Sequence, residues 1–288
     1  PKPSSAASDV YKRQEMGGNA VTEEVLTAWG KAYGVLADIF IGRESELYRE
    51  KASQDGGWQG TRSFIIKEKR QESELITSFV LAPLDGNPVL RFKPGQYLSI
   101  KLVHPALEHQ EIRQYSLSDA PNGRDYRISV KREPRGQASN LLHDHLHIGD
   151  TLDIMPPAGD FFLQEETDTP VVLISAGVGL TPMLSMLNHL LADGPDMDIR
   201  WLHACEHGAH HAFRDEIRAK SRQHGKLESR IWYREPGEQD VKGEDYDFSG
   251  TLALEQVTDL IPADAHYYFC GPVPFMKAVK AQLENVGV

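Results

Sequence analysis

The sequence predicts a multi-domain chain: a single helix, then an antiparallel β-barrel domain, then an α/β domain built on a parallel sheet. Three observations predict it. Apolar residues recur at helical spacing before about residue 50, short alternating strands between Gly, Pro and Asn turns fill the middle, and apolar runs alternating with helical patterns fill the remainder. A chain of 288 residues is long enough for two domains with separate cores.

Residues 22–50 carry the helical pattern. Thr22 can cap the first turn, Glu23 and Glu24 suit its positive end, and Val25, Trp29, Leu36, Ile39 and Phe40 form an apolar stripe. A lone amphipathic helix has nothing to bury such a stripe against, so the pattern implies one element of a larger bundle. Residues 1–14 have no apolar period and resemble a translated cloning adapter. After the glycine-bearing link 55–60 the period becomes alternating. Strands are expected at 61–68, 75–82, 96–103, 126–131 and 151–155, a further one at Arg113–Ser116, and a helix at 138–147. From residue 169 the run PVVLISAG reads as a buried strand, followed by a helix at 182–192, a strand at 198–204, the strand HYYFCG and a last helix at 274–285.

The formal charge of −11 argues against a nucleic-acid surface, and no run is long enough to span a bilayer. Two cysteines, Cys205 and Cys270, make neither a disulfide framework nor a metal-ligand spacing, and a reducing cytoplasm is expected.

Three constellations carry chemistry. In Arg113-Gln114-Tyr115-Ser116, Arg113 offers a fork of donors to a phosphate, the Tyr115 ring can stack on a flat cofactor, and Ser116 can bond a ring nitrogen. Gly136, Gln137 and Ser139 open a helix and make a ready anion site, while Tyr97 supplies another aromatic at a strand start. Together these suit an extended ligand with a flat head and a pyrophosphate waist, the shape of FAD. The second constellation is Gly177-Val178-Gly179-Leu180-Thr181-Pro182, between a strand and a helix. Its glycines let a backbone approach a pyrophosphate, although Thr-Pro departs from the usual third glycine. The third, Cys270-Gly271-Pro272, ends a strand at the edge where a nicotinamide could lie. Taken singly, each also reads as an ordinary strand or glycine turn.

In this order the motifs resemble the ferredoxin–NADP reductase superfamily. More closely, AWGKAYGVLADIFIGRESELY, GGWQGTRSF, HQEIRQYSLSDAP, LISAGVGLTPMLSML and YYFCGPVPFM are similar to flavohaemoglobins, from about Gly18 to Val288. The resemblance implies a flavoprotein oxidoreductase in which NADH reduces FAD, and FAD passes single electrons to a globin haem for nitric oxide dioxygenation. By motif, Tyr97, Arg113, Gln114, Tyr115 and Ser116 would contact FAD and 177–182 would bind NADH. Ser116, Tyr115 and Cys270 would stand at the hydride-transfer site. Glu44 matches a glutamate that bonds the proximal haem histidine.

The implied domains are a leader at 1–17, the last globin helix at 18–54, an FAD-binding barrel at 55–167 and an NAD-binding domain at 168–288. Because the earlier globin helices and a terminal strand have no counterpart, the chain is expected to be a fragment that binds no haem b. NADH is favoured over NADPH because Glu206, not a basic cluster, follows the second strand of the α/β domain; NADPH remains possible.

The alternatives are a stand-alone reductase for a soluble acceptor, an inactive fragment, or a haem-binding module. No metal site is expected: His143, His145 and His147, and the group His203, His207, His210 and His211, read as solvated polar residues. The acidic run 235–247 reads as a solvated loop, and Cys270 as a packing residue.

Overall fold

A computed structural model of the chain describes residues 22–164, 169–193 and 197–288. The expected leader at 1–17 and the side chain of Glu44 lie outside the described residues.

The chain divides into two units, one ending at Lys51 and one spanning Ala52–Val288. The first contains most of helix α1 (Glu23–Ser53). Thr22 Oγ1 accepts the Val25 N–H at 3.3 Å, as a capping residue should. Along α1, the stripe residues Val25, Trp29, Leu36, Ile39 and Phe40 are all exposed.

The second unit begins with six strands: β1 (Arg62–Gln71), β2 (Ile76–Pro83), β3 (Tyr97–Leu102), β4 (Glu111–Ser116), β5 (Tyr126–Lys131) and β6 (Thr151–Ile154). They form an antiparallel sheet in the order β4-β3-β6-β1-β2-β5. A bridge between Leu117 and Ile128, with the Ser118 N–H donating to Arg127 O at 2.8 Å, joins the end of β4 to β5 and closes the sheet into the expected barrel. Alternation sends Leu98, Ile100 and Leu102 of β3 inward, against Phe64, Phe79, Tyr126 and Ile128. Helix α2 (Gln137–Asp144) packs Leu141 and Leu142 onto the same core.

The α/β part follows as β7 (Val171–Ala176), α3 (Leu180–Asp193), β8 (Ile199–Cys205), α4 (Arg214–Gln223), β9 (Leu227–Tyr233), β10 (Phe248–Ser249), β11 (His266–Cys270) and α5 (Val273–Asn285). The five strands are parallel in the order β10-β9-β8-β7-β11. The continuous apolar run of β7 is explained by burial on both faces. Val171 and Leu173 face a core with Met183, Leu184 and Leu187 of α3, and Val172 and Ile174 face Leu254, Val257, Val279 and Leu283. None of the described helices is long and apolar enough to cross a membrane.

The first strand of this sheet has β8 on one side and β11 on the other, so the strand order reverses beside it. That reversal opens a crevice at the carboxyl ends of β7 and β11, where open α/β sheets take their ligands.

Candidate functional site

At the reversal, the turn Gly177–Gly179 leads from β7 into α3. Gly177 has φ +53°, a left-handed conformation that glycine adopts without strain, and a Cβ there would meet nothing within 4 Å. Gly179 is required for a different reason. A Cβ there would lie 2.4 Å from the Cys270 carbonyl oxygen and 2.8 Å from Gly271 Cα. The turn is therefore docked tightly on β11 on one side and open on the other, which is the form of a cradle for a flat or phosphate-bearing group. Thr181 Oγ1 donates to Val178 O at 3.0 Å and holds the turn, Leu180 is buried in the core, and Pro182 stands in the first turn of α3.

A cleft of about 510 Å³ joins this turn to the barrel. Gln114, Tyr115, Ser116, Gly177, Val178, Gly179, Thr181, Pro182, Cys270, Gly271 and Pro272 all line it. The structure thus brings together three motifs that are far apart in sequence. Ser129, Lys131 and Glu133 also line the cleft, and sequence reasoning missed them. Lys131 Nζ bonds Glu133 Oε1 at 2.9 Å. Ser129 and Lys131 lie in the plain alternating pattern of β5 and Glu133 just after it, and only barrel closure carries them to the site.

The remaining candidates sit near the cleft without lining it. Tyr97 pairs with Ser116 across β3 and β4, and its ring lies against Gly159. Arg113, half-exposed, is ion-paired with Glu111 and donates to Ile112 O at 2.9 Å. Gly136 precedes α2, Gln137 is its first residue, and the Ser139 hydroxyl lies within the preceding turn, accepting the Glu133 N–H at 3.1 Å.

Burial sets the chemistry of the titratable groups. It pushes the Tyr115 phenol up to about 12, so the ring stays neutral. Burial likewise raises the Cys270 thiol, which packs against the core beneath the sheet and is no thiolate nucleophile at neutral pH.

A second cavity, of about 760 Å³, continues from Gly177, Val178 and Pro272 over the ends of β8 and β9. Glu206, His210, Arg234, Thr251 and Gln282 line it, with Leu75, Ile76 and Lys131 from the barrel. Arg234 Nη2 meets Glu206 Oε1 at 2.6 Å. The basic group that the sequence showed no sign of after β8 is supplied by the end of the neighbouring strand.

The histidine expectation is corrected in part. His203 and His211 are buried, not solvated: His203 Nδ1 shares a 2.9 Å hydrogen bond with the Ser175 hydroxyl, and His211 Nδ1 one of 2.9 Å with the Tyr233 hydroxyl. Their rings lie 5.2 Å apart. Desolvation holds His203 down at about 4 and His211 well below the usual histidine value. His143 is also anchored, its Nε2 2.9 Å from Val130 O. The acidic run is likewise structural in part. Asp240 accepts the N–H groups of Gly208 and Gly237 at 3.0 and 2.7 Å, and Asp245 pairs with Arg214 at 3.1 Å.

Comparison with known proteins matches this architecture. Residues 63–163 match the model of the oxidoreductase FAD-binding domain, and residues 173–281 that of the oxidoreductase NAD-binding domain. A flavohaemoprotein of Rhizobium meliloti (strain 1021) is 48% identical over 281 residues, which cover 96% of this chain and 70% of that protein. The chain belongs to the flavohaemoprotein family. Two solved structures of flavohaemoproteins share the fold. The FAD/NAD-binding domain of the nitric oxide dioxygenase from Vibrio cholerae O1 biovar El Tor is 42% identical, with a TM-score of 0.72 over 82% of this chain and 95% of that one. The flavohaemoglobin of Malassezia yamatoensis, determined with FAD and haem bound, is 26% identical, with a TM-score of 0.79 over 98% of this chain and 71% of that one. The chain is thus an FAD-dependent, NAD-binding oxidoreductase of the family that includes a nitric oxide dioxygenase.

Proposed function

We propose that this chain performs the reductase half-reaction of a flavohaemoprotein: hydride transfer from NADH to FAD in the cleft between barrel and parallel sheet. Those electrons would go singly to a globin haem, where nitric oxide and dioxygen would give nitrate. The observation that carries the reading is the convergence of Tyr115–Ser116, Gly177–Pro182 and Cys270–Pro272 on one cleft at the reversal of strand order. FAD supplies the chemistry when bound, accepting a hydride and releasing electrons one at a time.

The residues present fit that group. Gly177 leaves open space where a side chain would otherwise stand, and the neutral Tyr115 offers an uncharged aromatic face. In this reading Tyr115 holds the flavin ring and Ser116 bonds near its reactive nitrogen. Tyr97, Gln114, Gly136, Gln137 and Ser139 complete the FAD contacts, and Arg113 exchanges Glu111 for the pyrophosphate. Residues 177–182 and 270–272 hold the nicotinamide dinucleotide, whose adenosine end lies beside Glu206. The protein's contribution is alignment and the exclusion of water. The corresponding domains are 55–167 for FAD and 168–288 for NAD, with 18–54 as the last globin helix, in a cytoplasmic protein.

The test is titration of the flavin-free chain with FAD, then NADH under anaerobic conditions. FAD is expected to bind at one site and its visible band to bleach, with weaker FAD retention after Arg113→Ala. Retained FAD that NADH leaves unbleached refutes the reading, and equal retention by the variant removes Arg113 from it.

A further inference from the structure

Helix α3, which starts at the Gly177–Gly179 turn, is apolar on the side packed into the protein, where Met183, Leu184, Met186, Leu187 and Leu190 are buried. Ser185 interrupts that face. It is fully buried, and its hydroxyl donates at 2.7 Å to the backbone carbonyl of Asp119, which belongs to the barrel. Asn188, three residues on and therefore on the same helix face, donates through Nδ2 to Asp119 Oδ1 at 2.8 Å. One barrel residue is thus gripped twice, through its main chain and through its carboxylate.

A second link runs beside the first. Arg127 of β5 places Nη1 3.7 Å from both Asp119 Oδ2 and Glu216 Oε2 of α4, with its guanidinium 5.3 Å from the centre of the Phe213 ring. Phe213, the residue before α4, holds a left-handed φ of +59°.

We propose that Asp119, clasped by Ser185 and Asn188 and backed by Arg127, is a positioning residue that fixes the nucleotide helix against the flavin strand. The placement gives it leverage. Asp119 lies three residues past Ser116, and Ser185 four residues past Thr181. The clip therefore ties the two walls of the cleft together directly behind the cleft-lining residues, without lining the cleft itself. Nothing in it touches the reacting atoms. Its effect is on the distance between them, and a displacement on the order of 1 Å at such a site costs on the order of a hundredfold in rate. Packing of Ile76 and Leu163 with the α3 core would keep the halves associated without the clip, which leaves misalignment as the expected consequence of its loss.

This inference rests on the assignment of the cleft to FAD and NADH, so its test has one arm that needs neither. In the first arm, FAD-loaded Asp119→Ala and the double variant Ser185→Ala/Asn188→Ala are mixed rapidly with NADH under anaerobic conditions. The limiting rate of flavin reduction is expected to fall on the order of tenfold with the NADH dissociation constant unchanged. Asp119→Asn, which keeps both acceptor oxygens for α3, is expected to hold most of the wild-type rate.

In the second arm, flavin-free protein carries spin labels at Lys67→Cys on the barrel and Lys280→Cys on α5, both exposed positions. The distance distribution is expected to broaden in the clip variants and not in Asp119→Asn. Should Asp119→Ala fail to fold, the Ser185/Asn188 variant tests the same clip from the other side. An unchanged limiting rate, a loss confined to NADH affinity, or an unchanged distance distribution overturns the proposal. A wild-type chain that NADH does not reduce sinks the functional reading instead, and the distance measurement alone then decides the clip.

Discussion

Replacing Gly179 by alanine tests how closely the nucleotide turn must approach β11. The added Cβ would stand 2.4 Å from the Cys270 carbonyl oxygen, 2.6 Å from its carbonyl carbon and 2.8 Å from Gly271 Cα. All three are backbone atoms, so no side chain can rotate away. Restoring ordinary contact at about 3.4 Å requires the turn to retreat by about 1 Å. The overpacking costs about 1–3 kcal/mol of stability. At about 2–4 °C per kcal/mol for a unit of this size, thermal unfolding falls by roughly 2–12 °C. The larger effect is on function, because the turn would withdraw from the position it shares with Cys270 and Gly271. A retreat of about 1 Å predicts a loss on the order of a hundredfold in the rate of FAD reduction by NADH.

Gly177→Ala separates stability from cofactor binding. Its Cβ meets no protein atom within 4 Å, so its stability cost is confined to the left-handed φ of +53° and amounts to about 1–2 kcal/mol, while the methyl group enters the open side of the turn. The assay pairs thermal unfolding of both variants with anaerobic rapid mixing against NADH. Wild-type unfolding and wild-type reduction in Gly179→Ala would refute the reasoning.

Two further predictions follow from charge. His203 and His211 are held neutral by burial, His203 at about 4 against an unfolded value near 6.5, so the unfolded chain binds more protons between those values. Their contribution to stability is complete above pH 6.5 and is lost as pH falls toward 4, at up to about 1.4 kcal/mol per pH unit for each group. Melting temperatures at pH 7.5, 6 and 5 should decline, with a shallower decline in His211→Gln; a flat profile contradicts the burial argument. At the other cavity, Glu206→Ser removes a carboxylate and frees Arg234 to meet a 2′-phosphate. Because both groups are partly exposed, the shift of kcat/KM toward NADPH should be on the order of tenfold, about 1.4 kcal/mol. Steady-state kinetics with the two coenzymes measures it, and an unchanged ratio removes Glu206 from coenzyme selection.

The architecture was legible because its periods are local. The alternation of β3 and β5 and the apolar run of β7 each report the environment of a single element. The three cofactor motifs were legible for the same reason, as short segments with unusual residue types, and the structure assembles most of them in one cleft. What sequence could not deliver depends on pairing between distant segments. Lys131 and Glu133 reach the cleft only because the barrel closes, and Arg234 meets Glu206 only because β9 lies beside β8. The histidines were misread because spacing in a central parallel strand does not say which polar side chain finds a buried partner. His203 finds Ser175 on β7, and His211 finds Tyr233 on β9. Ser185 gave no signal within an apolar helix until Asp119 stood opposite it.

The measurement that bears most directly on the central claim is rapid mixing of the FAD-loaded chain with NADH, in the absence of oxygen, compared with NADH deuterated at the transferring position of C4. Hydride transfer within this cleft predicts bleaching of the flavin band at a rate that saturates with NADH and slows on deuteration. Flavin that stays oxidised, or is reduced at a rate proportional to NADH without saturation, would contradict the account.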